Sequence, residues 1–99
     1  MPKKNLEEIK RLCRVIANIK TPQDAELLIE DLCTIQEVLA LSQRLEVASL
    51  LDSGKNYSEI TEMTGVSSAT ISRVNRCLNY GSGGYKIALD IMKDVENDN

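Results

Sequence analysis

The 99-residue chain contains no histidine, no tryptophan and no phenylalanine, and its only aromatic side chains are three tyrosines. The missing histidine removes the commonest general base and the commonest metal ligand. Cys13, Cys33 and Cys77 are widely spaced and form no CxxC pair. No metal site is therefore expected, and reduced, buried thiols acting as small hydrophobes account for the three. No activated-nucleophile pattern and no phosphate-binding loop occurs, so the chain does not read as an enzyme. No apolar run approaches membrane-spanning length and the N-terminus lacks a secretory pattern, which predicts a cytoplasmic protein with no membrane partner.

The scarcity of aromatics also bounds the core, which must be built from Leu, Ile, Val, Ala and Met. An aliphatic core in a chain this short is marginal. The reading is one domain over residues 1–99 that gains further burial by pairing with a second copy. Leu6, Ile9, Cys13 and Ile16 form a stripe on the first helix that one protomer could scarcely cover.

What is present is helical throughout. A first helix is predicted from about Asn5 to Ile19. Thr21-Pro-Gln-Asp24 starts a second, with Thr as N-cap and Pro in the first turn. Thr34-Ile-Gln-Glu37 is a capping box that opens a third helix, apolar around much of its circumference and so expected to be central and buried. Asp52-Ser-Gly-Lys-Asn56 ends it. After two more helices and the break Gly81-Ser-Gly-Gly84, a short sixth helix carries Ile87, Leu89, Ile91 and Met92 before an acidic tail over 93–99. The fold class predicted is all-α with six helices.

The fourth and fifth helices carry the functional signal, over residues 57–78. Tyr57-Ser-Glu-Ile-Thr-Glu-Met-Thr64 reads as a short helix and Ser67 to Leu78 as a capped second one. Gly65 between them suits a turn that needs positive φ. This is a helix-turn-helix, whose second helix typically enters the DNA major groove. Ile60 and Met63 are expected to face inward from the first, and Ile71, Val74 and Leu78 from the second. The outward face is Ser68, Ala69, Ser72, Arg73 and Arg76, with Thr70 beside it. Small and hydroxylated residues allow close approach to base edges, and Arg can bond guanine bidentately.

The formal net charge of −3 taken alone opposes a nucleic-acid partner, yet its distribution does not. From Met63 to Leu89 there is no Asp or Glu, whereas Arg73, Arg76 and Lys86 lie within that window. Such a local positive surface can dock on phosphates, with modest affinity and strong salt dependence.

The segment Ala69-Thr-Ile-Ser-Arg73 is close to the Ala-Thr-Ile-Thr-Arg that begins the recognition helix of the Trp repressor family. Thr34-Ile-Gln-Glu37 is similar to the Thr-Pro-Asp-Glu that opens that family's long central helix, and Leu50, Leu51 and Gly54 fall in place. Over Thr34 to Leu89 the chain thus resembles the Trp repressor (TrpR) family, in its TrpR-like YerC/YecD-type branch. The resemblance implies an intertwined homodimer that presents two recognition helices to a palindromic operator in double-stranded DNA, as a repressor-like transcription regulator. By residue match, Ser68, Ala69 and Ser72 would approach bases and Thr70 a phosphate, with Ser67 capping the helix. Tyr57, Ser58 and Thr61 stand where the family's preceding helix touches DNA. Thr34, Arg44 and Arg73 match positions that meet the family's tryptophan corepressor. The family has glycine where Val74 stands and serine where Cys77 stands, so tryptophan is not expected here. The cofactor expectation is none, with a different small-molecule effector or no effector at all. The competing reading of the helix pair is a protein-interaction module.

Overall fold

A computed structural model describes residues 5–97 and contains six α-helices, with no strand among the described residues. They are α1 (Leu6–Ala17), α2 (Pro22–Leu32), α3 (Ile35–Asp52), α4 (Tyr57–Thr64), α5 (Ser68–Tyr80) and α6 (Gly84–Asn97). No described helix is long and apolar enough to cross a membrane.

The helix starts follow local side-chain chemistry. Thr21 caps α2 by accepting the Asp24 N–H at 3.1 Å, with Pro22 next to it. The box at the head of α3 is closed from both sides. Thr34 Oγ1 accepts the Glu37 N–H at 3.2 Å, and Glu37 Oε1 accepts the Thr34 N–H at 2.8 Å. The backbone N–H of Thr34, and secondarily its hydroxyl, hold the Glu37 carboxyl below its ordinary pKa. A second box, not among the sequence expectations, opens α4. Asn56 Oδ1 accepts the Glu59 N–H at 2.9 Å while Glu59 Oε1 accepts the Asn56 N–H at 3.1 Å. Its signal is the pattern Asn-x-x-Glu, which is the same device with Asn in place of Thr.

The chain divides into two compact units, Met1–Val38 and Leu39–Asn99. In the first, no residue of α1 or α2 is buried. Of the expected stripe, Leu6 (38%), Cys13 and Ile16 (54%) are exposed and Ile9 is half-buried, and Leu27, Leu32 and Ile35 are barer still.

The second unit holds the core. Val47 and Ala48 of α3, Ile60 of α4, Val66 of the turn, and Ile71 and Val74 of α5 are buried together. Leu50, Leu51, Tyr57 and Tyr85 pack against this cluster. Lys93 of α6 meets Asp52 at the end of α3 at 3.2 Å, both side chains substantially exposed. Three expectations of burial are corrected here, the first for the thiols, since Cys13 and Cys77 are exposed and Cys33 is half-buried. Met63 is 60% exposed, because Tyr57, Ile60 and Thr64 share the inward arc of α4 and leave Met63 to its side. The third helix is buried only at Val47 and Ala48, while Leu39 and Leu41 remain about half exposed, since α4, α5 and Tyr85 of α6 pack against the cluster that holds Val47 and Ala48 in its second half.

The acidic tail expected over 93–99 begins inside α6, which runs on to Asn97. Residues 98 and 99 of that tail lie outside the described residues.

Candidate nucleic-acid interface

The turn between α4 and α5 is fixed by three residues. Gly65 sits at φ 74°, ψ 5°, the left-handed conformation expected of it, and its N–H reaches the Thr61 carbonyl at 2.8 Å. Thr64 braces the corner from within. Its hydroxyl donates to the Ile60 carbonyl at 2.7 Å and accepts the Val66 N–H at 3.2 Å. Ser67 caps α5, its hydroxyl accepting the Thr70 N–H at 3.3 Å and lying 3.2 Å from the Thr70 hydroxyl. Val66 before the cap and Ile71 on α5 join the same core cluster, the arrangement of a hydrophobic staple. The angle at which α5 leaves the turn is thus held by packing as well as by hydrogen bonds.

From there α5 presents two opposed sides. Ile71 and Val74 are buried and Leu78 half-buried, in keeping with the periodicity. Ser67, Ser68, Ala69, Ser72, Arg73 and Arg76 are exposed, and Thr70 is half-buried at the edge. On α4, Ser58 and Thr61 are exposed and Tyr57 is half-buried against the core. A groove of about 380 Å³ brings Tyr57, Ser58 and Thr61 together with Ser68. Residues from both helices of the motif therefore share one surface.

Two participants in this surface lie outside the sequence expectations. Glu62 lines the same groove. Tyr80, beyond the expected end of the helix at Leu78, is 88% exposed on the outward side of α5. The chain leaves the helix at Gly81, whose backbone turns extended (φ −86°, ψ −160°), and a Cβ there would collide with the Cys77 carbonyl oxygen, which favours glycine at this position.

The electrostatics of the surface rest on two free cations. Among the described residues the ion pairs are Lys10–Glu7 and Lys93–Asp52, so Arg73 and Arg76 are unpaired there. With no acid between Met63 and Leu89, nothing on α5 offsets them.

Of the residues matched to a corepressor site, Arg44 and Arg73 do not line a common hollow. Thr34 uses its hydroxyl in the capping box. Arg44 is half-buried and lines a hollow of about 300 Å³ with Ala40, Gln43, Gly65, Val66, Ser67 and Thr70. Arg73 is exposed on the outer face of α5 and does not line that hollow. Val74 is 1% exposed within the core, and Cys77 borders a separate hollow with Leu45, Tyr85 and Ala88. Among the described residues there is no cluster of metal-ligating side chains.

Comparison with known proteins agrees with this architecture. YerC of Bacillus subtilis (strain 168), a protein described as uncharacterised, is 46% identical over 92 residues, covering 93% of this chain and 88% of YerC. The crystal structure of a TrpR-like protein from Eubacterium eligens superposes with a TM-score of 0.82 at 45% identity, covering 88% of this chain and 90% of that one. A candidate Trp repressor from Staphylococcus aureus superposes with a TM-score of 0.84 at 36% identity, covering 94% of this chain and 95% of that one. The Trp repressor protein family matches residues 7–93. With its helix order, its helix-turn-helix and nearly its whole length accounted for, the chain belongs to the Trp repressor family.

Proposed function

We propose that the protein is a sequence-specific, repressor-like transcription regulator that acts as a homodimer on a palindromic DNA operator. The observation that carries this reading is the bare polar side of α5. Ser68, Ala69, Ser72, Arg73 and Arg76 face away from the core, the two arginines lack ion-pair partners among the described residues, and Ile71 and Val74 anchor the opposite side. A helix held rigidly on one side and bare on the other is what major-groove insertion requires.

Homodimer formation is supported by α1 and α2. A unit with no buried residue in either helix gains little from folding alone, and its exposed Leu12, Val15, Ile16, Leu27 and Leu32 are best covered by a second copy. Two copies related by a twofold axis present two α5 helices, and recognition of two half-sites about one helical turn apart follows.

Tryptophan has no part in the reading. A flat indole needs a slot beside α5, and where the family has glycine this chain has Val74, a branched side chain buried in the core cluster. Cys77 is a weaker partner than a hydroxyl for an ammonium group.

Selection of bound sequences from a random duplex pool at low salt, with the mass in solution measured alongside, tests the proposal. A palindromic consensus and a dimeric mass are the expected results. A pool that shows no enrichment would overturn the DNA-binding reading, and a monomer at micromolar concentration would overturn the assembly.

A further inference from the structure

One group at the groove between α4 and α5 has no role in holding the fold. Glu62 lines the hollow of about 380 Å³ with Tyr57, Ser58, Thr61 and Ser68. Those four carry hydroxyls, which donate or accept as required. Glu62 is the one carboxylate among them. Three residues earlier, Glu59 is committed to the Asn56 cap. The Glu62 side chain, by contrast, is exposed and joins no hydrogen bond or ion pair among the described residues.

Local helix energetics do not account for it. Glu62 lies past the first turn of the eight-residue α4, where a carboxylate would favour the positive end of the dipole. Its neighbours at spacings of three and four are Ser58, Glu59, Gly65 and Val66, which include no cation and one like charge. Against a phosphate backbone a bare carboxylate repels, so it weakens docking wherever it finds no donor.

The major groove supplies such a donor. The exocyclic amino group of cytosine is a preferred partner for Glu, whereas guanine O6 and N7 and thymine O4 only accept, and adenine sets its N6 amino group beside the N7 acceptor, which repels a carboxylate. On the DNA-binding reading given above, we infer that Glu62 is a specificity-determining residue. It accepts the N4 amino group of a cytosine in each half-site and rejects duplexes that place an acceptor there. The hydroxyls around it tolerate several bases, so the carboxylate supplies discrimination that they lack. Part of this discrimination is repulsive, because an unmatched carboxylate faces an acceptor or a phosphate with nothing to offset it.

The test uses the full chain and its Glu62→Gln and Glu62→Ala variants in random-duplex selection, followed by competition binding. Thermal melting confirms that these surface changes leave the fold intact. The wild type is expected to enrich cytosine at one fixed offset in each half-site. Glu62→Gln should replace that cytosine by adenine, which Gln bonds through N6 and N7, and leave other positions unchanged. Glu62→Ala should lose about tenfold on the wild-type site and bind random duplex more tightly. If all three proteins select one profile, or if Glu62→Ala tightens operator and random duplex alike, the carboxylate only repels phosphates and the inference is overturned while DNA binding stands. If the wild type enriches nothing, the DNA-binding reading falls and takes this inference with it.

Discussion

At the scale of single residues, Gly65, Arg73 and Arg76 have separable roles. A Cβ added at Gly65 would meet nothing within 4 Å, so the constraint on this position is its φ of 74° and not space. Gly65→Ala should therefore destabilise the protein by about 1–2 kcal/mol, the cost of a side chain in the left-handed region. Urea unfolding with an unchanged m-value checks this. Arg73 and Arg76 are exposed and outside the core, so replacing both by Ala should leave stability within about 0.5 kcal/mol. On the proposed function their effect is on DNA. The proposed dimer would lose four cations, and the slope of log affinity against log salt should become shallower by about 3 to 4. Equal slopes for the wild type and the double variant would remove both arginines from the phosphate contacts.

At the scale of elements, α3 and α5 show how short-range chemistry sets the ends of helices. The Thr34–Glu37 box depends on a carboxylate whose folded pKa is depressed by the Thr34 N–H and hydroxyl. A depressed carboxyl contributes stability above its unfolded pKa and loses it as pH falls through the folded value. The contribution of the box should therefore hold at neutral pH and fade below the ordinary glutamate range. Glu37→Gln should flatten that acid-side loss, which thermal melts from neutral to acid pH would detect. At α5, Ser67→Ala removes the acceptor for the Thr70 N–H and should cost about 1 kcal/mol. It should also weaken DNA binding more than that loss of stability explains, because the cap fixes the start of the reading helix. Affinity measured well below the melting temperature separates the two effects.

At the scale of the whole molecule, stability should depend on protein concentration. In the proposed homodimer, a unit without a buried residue in α1 or α2 would gain its apolar burial from a partner, and mass action would then raise the melting temperature with concentration. A tenfold increase in concentration should shift Tm upward by a few degrees, whereas added tryptophan should not shift it. A saturable rise in Tm with tryptophan would reverse the reading of Val74 as a plug. The Lys93–Asp52 pair, between two largely exposed side chains, should contribute at most about 1 kcal/mol to any of these measurements.

Much of this protein is legible in its sequence, and the legible parts share a cause. The cap at Thr34, the turn at Gly65, the cap at Ser67 and the buried stripe Ile71–Val74 are set by neighbours within about one helical turn, so the residue order alone determines them. Asn56–Glu59 is equally local and readable by the same rule. Helical continuity through residues 93–97 is not, because acidic composition says little about where a helix ends once its apolar face is anchored. Met63, Leu39 and Leu41 mark the limit of periodicity. An apolar residue at helical spacing shows that a face seeks cover, but not which element supplies it. Only the tertiary structure decided that Met63 stays largely exposed and that Glu62 stands at the groove with the hydroxyls of both motif helices. Both facts depend on the angle at which α4 and α5 pack, which residues distant in sequence fix jointly.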